Sequence, residues 1–170
     1  MTLTSKITAY DATWPDMFIA ERELIANGFS NELIAIHHVG STAVPGLAAK
    51  PEIDLLVEVP NHRNEPQIEV FLRSCGYVRG KDLSPEHHFY RKDINGVRTH
   101  KVHVCSSGHR QISRMLLFRD LLRKDEELRQ RYQVFKLKLE AENTDGIGEY
   151  LARKAPFIDA ILSGSGRTVS

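Results

Sequence analysis

A chain of 170 residues, 41% hydrophobic and 26% charged, has the make-up of one soluble globular domain large enough to bury a proper core. Its net charge of +1 supplies no global field to recruit nucleic acid or a membrane surface, so a nucleic-acid role needs a local basic patch. No hydrophobic run reaches transmembrane length and the N-terminus carries no signal-peptide core, so no membrane partner is expected and the expected location is cytoplasmic.

In chain order, residues 1–12 read as an extended arm. A helix opens after Thr13, a suitable N-cap, with Pro15 in its first turn. Met17, Phe18, Leu24 and Ile25 give it an apolar face, Glu21, Arg22 and Glu23 read as solvated, and Gly28 ends it. Residues 33–39 form an apolar strand that sends His37 and His38 to opposite faces. Gly40, Ser41 and Thr42 break that strand, and Pro45, Gly46 and Pro51 keep the next stretch irregular. Residues 53–59 are a second apolar strand carrying Asp54 and Glu58. An ionised carboxylate in such a strand costs several kcal/mol, by order of magnitude, unless it has a partner. Asp54 therefore calls for a metal, a cation or the mouth of a site.

This spacing suits phosphate and metal chemistry. Gly40 lets backbone approach a ligand closely, Ser41 and Thr42 offer hydroxyl donors, and Lys50 adds positive charge. Asp54 can hold a magnesium ion that bridges to the same phosphates. The plainer alternative is a tight turn between core strands, with Asp54 paired to a structural Arg or Lys.

Residues 60–76 form a second helix, with Ile68, Phe71, Leu72 and Cys75 at helical spacing and Gly76 at its end. Cys75 and Cys105 lie in unrelated apolar contexts and make neither a disulfide framework nor a zinc pattern. A short strand at 77–79 and a charged loop at 80–86 precede strands at 87–93 and 97–105, which bracket the hairpin signal Asn95-Gly96. On the second of these strands Thr99, Lys101, His103 and Cys105 share one face. The last third is helical, over 108–123, 125–142 and 148–162, with a break at Thr144-Asp145-Gly146. Leu128, Tyr132, Phe135 and Leu139 form the apolar stripe of the middle helix, and 164–170 reads as a frayed tail after a single domain over 1–163.

The stretch GSTAVPGLAAKPEIDLLV, residues 40–57, closely resembles the signature of the GrpB family. By fold that family belongs to the nucleotidyltransferase superfamily of polymerase beta. The superfamily pattern is a Gly-Ser at a strand end, about a dozen residues, then Asp-x-Asp on the next strand. Gly40, Ser41 and Asp54 fit it, whereas Leu56 stands where the second acid belongs and Glu58 lies two residues further on. The later family stretch that tends to read His-x-His is met here by Lys101 and His103. LLFRDLLR, with Arg119 and Asp120, resembles the family's FRDYLR segment; YQVFKLKL, with Lys136, and EYLARKAPFI, with Lys154, resemble its two Y-x-x-x-K segments.

The resemblance implies an α/β (α+β) fold, a mixed sheet of four or five strands flanked by helices. It implies a magnesium-dependent transfer of a nucleoside monophosphate, with Asp54 and His103 holding the metal and Asp54, His103 and Arg119 serving catalysis. Gly40, Ser41, Thr42, Lys50, Lys101 and Lys154 would bind the substrate. The alternative is a non-catalytic module for a nucleotide or other phosphate compound, linked to coenzyme A metabolism because family members occur fused to dephospho-coenzyme A kinase. Leu56 for an acid and Lys101 for a histidine favour the module. No Ser-His-Asp or metal-hydrolase spacing supports a hydrolase with His103 as base.

Overall fold

A computed structural model of the chain describes residues 6–143 and 146–164. The expected break at Thr144 and Asp145 and the tail at 165–170 lie outside the described residues. Helix α1 spans Trp14–Ala26, β1 Ala35–Val39, β2 Ile53–Val59, α2 Glu65–Ser74 and β3 Tyr77–Arg79. Strands β4, His87–Ile94, and β5, Val97–Ser106, form the expected hairpin, followed by α3 Arg110–Lys124, α4 Glu126–Glu142 and α5 Ile147–Gly164. The hairpin turns on Asn95 and Gly96, both at positive φ (53° and 79°), the backbone that an Asn-Gly pair tolerates.

The sheet runs β1-β2-β5-β4-β3. Among the described strands only the β2–β5 pair is parallel; the other three pairings are antiparallel. Strand β2 is central because its sequence suits burial on both sides: Ile53, Leu55, Val57 and Val59 are wholly buried on one face and Leu56 on the other. The first face packs against Trp14, Phe18 and Ile25 of α1 and Ile68 and Leu72 of α2. On the second, Val39, Leu56 and Cys105 pack against Ile112 of α3. A further cluster joins Val44 and Leu47, in the loop after β1, to Leu122 of α3 and Tyr132 of α4.

Two local expectations are corrected. Thr13 makes no side-chain cap; instead Asp11 Oδ1 accepts from the Thr13 N–H at 2.8 Å and from its hydroxyl at 2.7 Å. Glu21 is buried, not solvated, while Met17 and Leu24 are exposed. The buried stripe of α1 is Trp14, Phe18, Glu21 and Ile25, and Glu21 belongs in it because Tyr77 donates its hydroxyl at 2.7 Å and Lys92 forms an ion pair with it.

A buried pair of this kind is costly to break and cheap to replace whole. We expect Glu21→Ala to destabilise the fold by about 3–5 kcal/mol, read from urea denaturation midpoints. Glu21→Leu combined with Lys92→Leu should recover most of that loss; a double variant as unstable as the single one would contradict this reading.

Candidate functional site

The site begins where β1 ends. Gly40 has φ 76° and ψ −175°, a region essentially reserved for glycine, and one 3-10 turn over Ser41–Ala43 follows. The close neighbour is Asp54: a Cβ built on Gly40 would lie 2.3 Å from Asp54 Oδ2. In register, Asp54 stands beside Val39 of β1 and Lys101 of β5. Turn, carboxylate and lysine therefore meet at one end of the central strands.

They open onto a cavity of about 210 Å³ roofed by the C-terminal helices. Gly40, Ser41, Thr42, Lys50, Asp54, Lys101, His103 and Lys154 all line it. So Ser41, Asp54 and His103 face one common cleft. Arg119 is elsewhere: its guanidinium donates to Asp120 Oδ1 at 3.0 Å and to the His38 carbonyl at 3.1 Å. With Arg123, which donates to the Ala43 carbonyl at 2.8 Å, it braces the Gly40 turn from outside the cavity. Glu58 lies at the far end of β2, where Ser107 donates to it at 3.2 Å.

The lining residues the sequence did not single out as a site include Glu52, Phe118, Tyr132 and Tyr150, and Lys136, marked in the sequence only by its Y-x-x-x-K segment, also lines the cavity. Lys136 is 2% exposed, and its ammonium donates to Ser41 Oγ at 3.0 Å and to the Ala48 carbonyl at 2.8 Å. Lys50 stands 3.8 Å from the centre of the Tyr150 ring, and Lys154 lies 5.8 Å from the Tyr132 ring and 5.7 Å from the Tyr150 ring. Both tyrosines precede a lysine by four residues on their helix, so one face presents the ring and the cation together. That repeated Y-x-x-x-K spacing was the available signal. The Tyr132 hydroxyl is buried without a hydrogen bond of ordinary geometry, although Ser41 is near it.

These cations are held against their preference. Burial, with Lys154 and Lys101 beside it and Glu52 opposing, lowers Lys50 to about 8. Burial, then Lys154 and Lys50, puts Lys136 well below the ordinary lysine value, and burial lowers Lys154. Lys101 moves the other way: burial opposes its charge, but Asp54 and Glu52 outweigh it. Its ammonium lies 3.3 Å from Glu52 Oε2 and 3.4 Å from Asp54 Oδ1. His103 is not bonded to Asp54; its Nδ1 meets His87 Nε2 at 2.9 Å. Burial, with Lys101 nearby, pushes His103 down to about 3, so the ring is neutral and a weak base. Thr42 is committed locally, its hydroxyl donating to the Glu52 carbonyl at 3.0 Å and meeting His38 Nε2 at 3.0 Å.

A profile described as GrpB protein matches residues 4–164 of the chain. The chain belongs to the GrpB family. Among its relatives, UPF0157 protein YqkA of Bacillus subtilis is 37% identical over 154 residues, which is 90% of this chain and 45% of YqkA. UPF0157 protein BH1888 of Halalkalibacterium halodurans is 34% identical over 165 residues, covering 94% of this chain and 81% of that one. This GrpB chain thus spans less than half the length of one curated relative and most of another. The crystal structure of conserved protein GrpB from Enterococcus faecalis superposes with a TM-score of 0.85 at 30% identity, over 92% of this chain and 94% of that chain. The Cid1 poly(U) polymerase bound to MgATP matches with a TM-score of 0.57 at 14% identity, over 81% of this chain and 46% of that chain. That likeness establishes the nucleotidyltransferase fold for this GrpB chain.

The fold implies a divalent metal, and the donor set here does not fit one. Lys101 holds the position between Glu52 and Asp54, where its ammonium repels a dication. His103 has one ring nitrogen engaged with His87, and no group of three or more His, Cys, Asp or Glu among the described residues converges as a ligand set.

The Gly40 turn and the Asp54 carboxylate are mutually dependent. Gly40→Ala should destabilise the fold by roughly 1–3 kcal/mol from backbone strain, with the Asp54 clash adding to it. In an Asp54→Ala background the same substitution should cost less, measured by denaturant midpoints; equal costs in the two backgrounds would contradict the close approach.

Proposed function

We propose that the cleft binds the phosphate groups of a small molecule, a nucleotide being the first class to consider. One observation carries this reading: Lys50, Lys136 and Lys154 converge on one cavity with no carboxylate in ion-pair distance among the described residues. Buried cations crowded together in this way are stabilised by an anion that joins them. Ser41, fixed by Lys136, and the backbone of the Gly40 turn donate to phosphate oxygens. Lys50 and Lys154 neutralise their charge, and Tyr150 and Phe118 supply the apolar wall for the rest of the ligand. Cid1, which shares the fold, is described bound to MgATP and to the UTP analogue UMPNPP, which supports nucleotides as the class to test.

Nucleotidyl transfer is the second reading, favoured by the placement of Asp54 at the Gly40–Ser41 turn. It requires a metal on Asp54, and Lys101 disfavours it. Binding without metal-assisted transfer is therefore the stronger reading, with a coenzyme A precursor as one ligand to include.

The test is a thermal-shift screen of pyrophosphate, nucleoside triphosphates and dephospho-coenzyme A, in chelator and in magnesium. A ligand at a hundred times its Kd stabilises by about 2.7 kcal/mol, a rise of roughly 5–10 °C for a domain of this size. We expect such a rise in chelator, and its loss in Lys50→Met/Lys154→Met, whose ligand-free melting temperature should rise as like charges are removed. No shift with any phosphate compound would overturn the reading. A shift that needs magnesium and vanishes in Asp54→Ala would replace it with metal-dependent nucleotidyl transfer.

A further inference from the structure

We propose that the Lys101 ammonium is the resident cation of this site: it occupies the place between Glu52 and Asp54 that a divalent metal would take, and makes phosphate binding independent of metal. The role rests on the phosphate reading above for its ligand, but its test does not.

The parallel pairing of β2 and β5 puts Lys101 directly beside Asp54. Glu52 stands just before β2, two residues before Asp54, and both carboxylates reach the same ammonium. The lysine stem spans to both, 3.3 Å to Glu52 Oε2 and 3.4 Å to Asp54 Oδ1. Asp54 Oδ1 is buried and takes no hydrogen bond of ordinary geometry, so Lys101 is the charge that compensates it. Two acids around one cation is also the local arrangement in which a divalent ion is clamped.

An ammonium has three donors. With Glu52 and Asp54 at ion-pair distance, a donor of Lys101 would remain for a ligand oxygen in the cavity that Lys101 lines. Such a cation is tethered and never exchanges. It carries one charge, cannot hold a nucleophilic water, and cannot be removed by a chelator. These properties suit holding a phosphate compound and do not suit the two-metal clamp of phosphoryl transfer.

The experiment titrates manganese(II) alone into the purified chain, with no phosphate compound present, and follows the loss of the free-ion electron paramagnetic resonance signal. It compares wild type, Asp54→Asn, Lys101→Met, Lys101→His, and each Lys101 variant combined with Asp54→Asn. We expect no Asp54-dependent site in wild type. Lys101→Met and Lys101→His should each gain one manganese at least about tenfold tighter than wild type, lost again with Asp54→Asn. Lys101→His is the second variant because its neutral imidazole leaves the acids a neighbour that is itself a ligand, should Lys101→Met fail to fold. A wild-type manganese site abolished by Asp54→Asn would overturn the proposal, as would folded Lys101 variants that bind none. Phosphate compounds failing to bind in the thermal screen would sink the ligand reading and leave this metal result standing by itself.

Discussion

Three charges meeting at one end of the sheet set the character of this protein: Lys101 between Glu52 and Asp54. The contact exists because β2 and β5 run parallel and in register, the one parallel pairing among the described strands. One residue further along each strand the chemistry is apolar: Leu55 and Val102 are buried in the core beneath the first two helices. The polar end of the sheet is thus fixed by the same pairing that builds the core. The Gly40 turn is fitted around it, since the Asp54 carboxylate leaves no room for a side chain there.

The second constraint is the crowd of lysines above that triad. Lys136 has compensation from a hydroxyl and a carbonyl, and Lys50 and Lys154 from the faces of Tyr132 and Tyr150. Among the described residues none of these direct partners carries a formal negative charge; Glu52, Asp54 and Glu140 offset the lysines only from further off. Buried titratable groups displaced in this way commonly mark a function. The unpaired Tyr132 hydroxyl at the same wall is a neutral instance of the same condition.

Much of this was legible in the sequence, for physical reasons that differ by element. Alternation and Asn95-Gly96 located the hairpin, and the apolar run at 53–59 matched the central strand residue for residue. Gly40, Ser41 and Asp54 could be placed together because glycine followed by a strand-borne acid is a local pattern. The Y-x-x-x-K segment marked Lys136 as a candidate, but its bond to Ser41 and the burial of Glu21 were not legible, because each depends on a partner far along the chain, Ser41 and Lys92. Glu52 was not legible because the Asp-x-Asp pattern runs forward from Asp54, to Leu56, whereas here the neighbouring acid lies two residues before it. Arg119 stood in an apolar neighbourhood for a different reason: it braces the His38 carbonyl, a backbone partner that no spacing rule reveals.

The most direct test of the phosphate-binding account is a calorimetric titration of the chain with a nucleoside triphosphate in chelator, at pH 7 and at pH 9. Lys50 is lowered to about 8, chiefly by burial and with Lys154 and Lys101 beside it, so it is charged at the lower pH and largely neutral at the higher. Burial also lowers Lys136 and Lys154, which line the same cavity, while Glu52 and Glu140 oppose the shift on Lys50. A phosphate prefers the charged forms, so the affinity for a nucleoside triphosphate, whose own charge changes little over this range, falls as the pH climbs through that value. The account predicts saturable binding at pH 7 without metal and weaker binding at pH 9. Binding that appears only when magnesium is added, or that is as tight at pH 9 as at pH 7, would contradict it.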